Sequence, residues 1–117
     1  MTRHAHPWWR DAVVYQVYVK SFADADGDGV GDLDGITSRL DYLAALGVDA
    51  IWLNPCYPSP DCDGGYDVAD FFRIADTYGG TPALDRLLAG AREHGLRVLL
   101  DIVPNHCSVE HEWFRAA

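Results

Sequence analysis

Three short apolar runs, set apart by segments of helical period, constrain this chain more than any other feature. Residues 12–19 are β-branched and aromatic nearly throughout, and residues 48–53 and 95–100 are shorter runs of the same kind. Unbroken apolar runs bounded by turn residues predict strands covered on both faces, as in parallel sheets under helices. Between the first two runs, Ile36, Leu40, Leu43 and Leu46 recur at helical spacing and Gly47 follows as a stop. Before the third, Thr81 and Pro82 read as N-cap and first helical residue. Leu84, Leu87, Leu88 and Ala91 read as the apolar face, and Gly95 as the end. A polar, Gly-rich loop covers residues 23–34, and a loop with Pro55, Pro58 and Pro60 covers residues 54–65.

The order is thus β, loop, α, β, long loop, α, β. Such alternation predicts an α/β protein whose strands pair in parallel through right-handed crossovers. Three strands and two helices are too few to close a barrel of eight, which takes about 250 residues. The chain is either a small open α/β unit or the first part of something larger. Its ending, Glu112-Trp113-Phe114-Arg115-Ala116-Ala117, carries aromatics and no stop signal and favours the larger assembly. No repeat, low-complexity stretch or linker divides residues 1–117, which read as one unit.

Composition narrows the partners. Eighteen acidic against nine basic side chains leave a formal charge of −9, the wrong sign for nucleic acid or an anionic membrane surface. No apolar run reaches the roughly 18 residues of a membrane span. Residues 1–10 lack the apolar stretch of a secretory signal and read as a short flexible lead-in. Cys56, Cys62 and Cys107 make an odd count, which points to reduced thiols and the cytoplasm. Cys56 and Cys62 are close enough to bridge a loop, but there is no second pair to make a zinc pattern. Cys107 sits beside His106, yet adjacent side chains on an extended chain point apart, which argues against a Cys–His nucleophile.

Three motifs carry chemistry. Asp24-Ala25-Asp26-Gly27-Asp28-Gly29-Val30-Gly31-Asp32 sets carboxylates at alternate positions around glycines. Hard cations take several oxygens converging on one point, and glycine lets the backbone wrap tightly around them. Counted as an EF-hand loop, Asp24, Asp26, Asp28 and Asp32 fill positions 1, 3, 5 and 9, Gly29 fills position 6 and Val30 offers a carbonyl. Position 12, however, is Gly35, and the flanks are a strand and a helix. The plain alternative is an acidic turn solvated by water. Mutual repulsion of four close carboxylates favours a structural cation, calcium before magnesium.

The second motif, Asp63-Gly64-Gly65-Tyr66-Asp67, joins an aromatic face to carboxylates. This is a common way to hold a sugar, and equally the makings of a Gly-Gly turn beside a packed Tyr. The third, Asp101-Ile102-Val103-Pro104-Asn105-His106, ends the third apolar run in polar residues. Such residues add nothing to a core; at the carboxyl end of a parallel strand they face a binding site or merely turn the chain.

Taken together these residues resemble a known family. Trp8-Trp9 before Val14-Tyr15-Gln16-Val17-Tyr18, then Asp26-Gly27-Asp28-Gly29-Val30-Gly31-Asp32-Leu33, Leu40-Asp41-Tyr42-Leu43 and Leu46-Gly47-Val48-Asp49-Ala50-Ile51-Trp52-Leu53 are its hallmarks. So are Gly65-Tyr66-Asp67 and the run from Asp101 to His106. The pattern is similar to the start of the α-amylase superfamily, glycoside hydrolase family 13, in its oligosaccharide α-glucosidase and oligo-1,6-glucosidase branch.

The resemblance implies the first three βα units of a (β/α)8 barrel and a retaining attack on terminal α-linked glucose of short oligosaccharides. In the family the nucleophile and the acid/base lie at the ends of the fourth and fifth strands, so none of the acids here would be either. The resemblance also implies that Tyr66 is the platform under the terminal glucose and that Asp63 grips its far hydroxyls. His106 would donate to the primary hydroxyl, Asp101 would orient an Arg near the nucleophile, and Asp24, Asp26, Asp28, Val30 and Asp32 would hold a single Ca2+. Gly64 and Cys107 depart from the more usual Asn and Thr. Trehalose synthase and related glucosyl-transferring isomerases share the same opening, and a stand-alone calcium-binding α/β protein is the alternative of another class.

Overall fold

The computed structural model describes residues 6–117; residues 1–5 of the expected lead-in lie outside the described residues. Three strands, β1 (Val14–Val17), β2 (Ala50–Leu53) and β3 (Arg97–Leu100), form one parallel sheet in the order β1-β2-β3. The register aligns Tyr15 with Ile51 and Val98, and Gln16 with Trp52 and Leu99. Five helices accompany them: α1 (Val19–Phe22), α2 (Leu33–Thr37), α3 (Leu40–Ala45), α4 (Gly80–Glu93) and α5 (Glu112–Ala116). The α/β class and the parallel pairing agree with the sequence.

Alternation of side chains along each strand splits the sheet into two faces. Val17, Ile51 and Leu53 are buried with Leu33, Ile36, Leu40, Leu43, Leu87 and Ala91 from the helices, and Tyr15 and Val98 pack against that cluster. The helices cover this face alone, and β1 and β3 are the edges. Val14, Leu99 and Leu100 therefore stay substantially exposed. The expectation that all three strands are covered on both faces holds only for β2, whose Ala50, Ile51 and Leu53 are fully buried.

Several expected boundaries shift. The first strand stops at Val17, because the Ser21 amide bonds back to the Tyr18 carbonyl at 3.1 Å and Val19 opens a helical turn, buried on its inner side. The single helix expected through Leu46 is two. Thr37 Oγ1 donates to the Leu33 carbonyl at 3.1 Å and Ser38 Oγ to the Gly35 carbonyl at 2.6 Å. Hydroxyls bonding back in this way bend a helix. Ile36, Leu40 and Leu43 still reach the core, but Leu46 is left exposed.

Helix α4 starts at Gly80 with Gly79, in the left-handed region at φ +106, as its N-cap. Thr81 and Pro82 thus lie inside the first turn, where the missing proline N–H has no intrahelical partner to lose. Its buried stripe is Ala83, Leu87 and Ala91, while Leu88 is exposed. A step of one residue rotates a side chain by about 100° around the helix axis, which carries Leu88 off the inner face.

The loop before α2 is pressed hard against the chain after β1. A Cβ on Gly31 would stand 2.1 Å from the Val19 carbonyl oxygen, and one on Gly35 would stand 2.0 Å from that of Ala23. No side chain fits either position, so these two glycines set how closely the acidic loop can lie against α1.

Candidate functional site

The acidic loop folds around its own carboxylates. Asp24 accepts the Gly27 and Gly29 amides at 2.8 and 2.7 Å, Asp26 accepts the Asp28 amide at 3.2 Å, and Asp28 accepts the Val30 amide at 2.9 Å. Positive φ at Gly27 and Gly29 lets the backbone turn tightly enough to do so. One oxygen from each of Asp24, Asp26 and Asp28 lies within 4.8 Å of the others, and all three residues are exposed. The Gly29 amide holds the Asp24 carboxyl below its ordinary range. For Asp26 the Asp28 amide pulls downward, but desolvation and the carboxylates of Asp24 and Asp28 outweigh it and push the acid up.

Asp32 stands apart from that trio. It is buried, caps α2 by accepting the Gly35 amide at 2.7 Å, and takes the Ala25 amide on both oxygens at 3.2 Å. Of the five expected cation ligands, then, three carboxylates converge, Asp32 serves the backbone, and Val30 closes the loop through its amide.

The second cluster forms beyond the carboxyl ends of β2 and β3. Asp101 is two residues past Leu99 and so projects from the same sheet face as Trp52. The indole N–H of Trp52 donates to Asp101 Oδ1, the Tyr66 hydroxyl donates to Oδ2 at 2.7 Å, and the Tyr57 hydroxyl donates to the Asp101 carbonyl at 2.8 Å. The bond to Asp101 holds the Tyr66 phenol above its ordinary range, with desolvation adding to it. Asn54 Nδ2 reaches the Tyr66 oxygen at 3.4 Å, and Gln16 Nε2 reaches Asn54 Oδ1 at 3.3 Å. A chain of polar contacts thereby runs from β1 past β2 to Tyr66 and on to β3. Below it, burial and then the Asp101 charge push the Cys56 thiol up to about 11, so it stays protonated.

Asp63 and His106 form the other half. Asp63 Oδ2 lies 3.7 Å from His106 Nε2, and Asn105 Nδ2 lies 2.9 Å from His106 Nδ1. The turn bond from the Tyr66 amide to the Asp63 carbonyl, 3.0 Å, joins the two halves through the backbone. All four residues expected to touch sugar therefore meet, from loops far apart in sequence. An aromatic ring, two carboxylates and an imidazole brought together suit a ligand with hydroxyls around an apolar C–H face. A neighbouring hollow of about 510 Å³ includes His106 but not Asp63, Tyr66 or Asp101, and its walls of Tyr57, Phe71, Phe72 and Ile102 are too apolar to grip hydroxyls alone.

Sequence reasoning missed Trp52, Asn54 and Tyr57 as members of the site. The one available signal was position: Trp52 and Asn54 flank the end of β2, and Tyr57 is a single aromatic in a proline-rich loop. All three cysteines are free, Cys56 buried and Cys62 exposed.

A parallel sheet whose polar residues gather at its carboxyl edge places the chain in the α/β class, where binding sites lie at that edge. Residues 16–117 match the alpha amylase catalytic domain, and this chain belongs to that family. It is 58% identical over 107 residues to glucan 1,6-alpha-glucosidase of Streptococcus pneumoniae, covering 92% of this chain and 20% of that protein. With alpha-glucosidase of Candida albicans it shares 53% over 110 residues, covering 94% of this chain and 19% of that one. Among solved structures it superposes on trehalulose synthase of Pseudomonas mesoacidophila with a TM-score of 0.93 and 50% identity, covering 96% of this chain and 20% of that one. The chain thus spans about a fifth of the length of these relatives. The family expected from the sequence is confirmed, and the parallel sheet matches the N-terminal part of its barrel.

Proposed function

We propose that this chain forms one wall of the glucose pocket in an α-glucosidase-type glycoside hydrolase, acting on terminal α-linked glucose of short oligosaccharides. The observation that carries the reading is the meeting of Tyr66 with Asp101 and of Asp63 with His106 at the carboxyl edge of the sheet. In this reading Tyr66 stacks on the glucose ring, Asp63 and His106 bond its hydroxyls, and Asp101 anchors both the ring of Tyr66 and the pocket floor. The attacking carboxylate and the acid/base come from chain beyond residue 117, and the reaction retains configuration through a covalent glucosyl intermediate. Its setting is the cytoplasm, in keeping with three unpaired thiols. Among the described residues no helix is long and apolar enough to cross a membrane.

A full-length protein carrying this chain, given maltose and isomaltose, releases free glucose. A second reading, a glucosyl-transferring isomerase, is favoured by the likeness to trehalulose synthase. An isomeric disaccharide in place of glucose would decide for it, and no turnover of either sugar would remove both.

The acidic loop fits a hard cation through Asp24, Asp26 and Asp28, whose converging oxygens retain free lone pairs beside their amide bonds. Calcium there neutralises the mutual repulsion and braces the loop against α1. Calcium at about 100 times its dissociation constant then stabilises the protein by about 2.7 kcal/mol. The thermal midpoint rises with calcium and falls with a chelator, and Asp26→Ala abolishes both responses. A midpoint indifferent to calcium would reject the site.

A further inference from the structure

The segment that carries Asp63 has little conformational preference of its own. Asp61 sits at φ +62 without being glycine, and Gly64 and Gly65 follow at +61 and +93. Among the described residues, the backbone–backbone bond within 59–66 is the one from the Tyr66 amide to the Asp63 carbonyl. An exposed stretch with several left-handed residues keeps one shape only if something else over-determines it.

An ion pair from Lys20 Nζ to Asp61 holds one point of the stretch, and a single carboxylate gathers its amides. Asp67 Oδ1 accepts the Ser59 hydroxyl at 2.8 Å and the Asp63 amide at 3.2 Å, and Oδ2 accepts the Cys62 amide at 2.8 Å. Ser59 Oγ in turn accepts the Asp61 amide at 2.9 Å. Three of the amides of residues 61–63 are thus gathered directly, or through one hydroxyl, onto one side chain. Burial alone would raise the Asp67 acid, but the bonds from Cys62, Ser59 and Asp63 outweigh it and hold it low. It therefore stays ionised, in the form that accepts amides best. Asp67 is half-buried and touches none of Tyr66, Asp101 or His106 by a hydrogen bond.

We infer that Asp67 is a positioning residue for sugar binding: it ties down residues 59–63 so that the Asp63 carboxylate faces His106. The inference rests on the glucose-pocket reading above for its consequence, and on the hydrogen bonds alone for its mechanism. It makes Asp63 and Asp67 one energetic unit, and units of that kind are non-additive when both members are removed.

The test uses a full-length protein carrying this chain, with Asp67→Asn, Asp63→Asn and the double variant. Hydrogen exchange at the Cys62 and Asp63 amides reads the loop, and calorimetry with D-glucose reads the pocket. In D67N those amides exchange on the order of 10-fold faster while D63N leaves them alone. D67N weakens glucose on the order of 10-fold, and the double variant binds no worse than D63N by itself. On maltose the loss falls on KM more than on kcat. Thermal midpoints separate these effects from general unfolding.

Unchanged exchange in D67N would overturn the inference, and so would losses that multiply in the double variant. If the amides respond as stated but the parent protein neither binds glucose nor turns over maltose, the functional reading fails and the loop anchor stands.

Discussion

Asp101→Asn, in a full-length protein carrying this chain, lowers kcat/KM on maltose by about 100-fold or more. The geometry explains why an isosteric change costs so much. Asp101 receives the Trp52 indole N–H on one oxygen and the Tyr66 hydroxyl on the other. An amide in its place must turn its NH2 toward one of these two donors. Facing Trp52, it sets donor against donor. Facing Tyr66, it competes with Asn54, which already reaches the same phenol oxygen. Either way the ring of Tyr66 loses its charged anchor, and in the proposed glucose pocket a stacking surface displaced by a fraction of an ångström is displaced from the sugar as well. The phenol also titrates lower in the variant, since the bond to Asp101 is the main cause of its raised value. Ultraviolet titration alongside maltose kinetics checks both. Wild-type kcat/KM in D101N would remove Asp101 from the site.

Leu87→Ala destabilises the protein by about 2–5 kcal/mol, while Leu88→Ala changes stability by no more than about 1 kcal/mol. Leu87 is fully buried between α4 and the sheet, among Ile36, Leu40 and Ile51. Truncating it loses the transfer free energy of its side chain and leaves a cavity that a packed core closes only in part. Leu88 is 40% exposed and leaves no comparable hole. Denaturant midpoints of the two variants make the comparison. Equal losses at the two positions would contradict the helix face seen here, because the two residues differ only in their angle around α4.

That pair also marks the limit of what a linear reading reaches. Periodicity places Leu84, Leu87, Leu88 and Ala91 on one apolar face. The helix itself fixes the angle between Leu87 and Leu88, but which of the two turns inward depends on where the sheet lies, and that is a tertiary fact. The break between α2 and α3 is similar. Ile36, Leu40 and Leu43 keep helical spacing across it, so the spacing alone reads straight through, while Thr37 and Ser38 bend the chain with side-chain bonds that form only once the helix begins. The first strand, expected over residues 12–19, is two residues shorter at each end; at its carboxyl end Tyr18 and Val19 are good strand residues, but the turn that closes at Ser21 overrides their preference.

The chemistry divides along the same line. Asp24, Asp26 and Asp28 were legible as a converging set because alternation around glycines is a local pattern and the loop closes on itself. Asp32 belongs to the same pattern, yet its neighbours are the amides of Ala25 and Gly35, so the cap claims it. Asp63, Tyr66, Asp101 and His106 were legible through family resemblance, whereas Trp52, Asn54 and Tyr57 carry no motif.

By itself, then, the sequence determined the α/β class, the parallel pairing, the family and four of the residues that meet at the carboxyl edge of the sheet, because hydrophobic period and short motifs are written in neighbouring positions. Only the tertiary structure decided which side chains anchor those residues. A hydrogen bond between Trp52 and Asp101, or the grip of Asp67 on the loop that carries Asp63, depends on where the folded backbone brings its ends, and no local pattern encodes that distance.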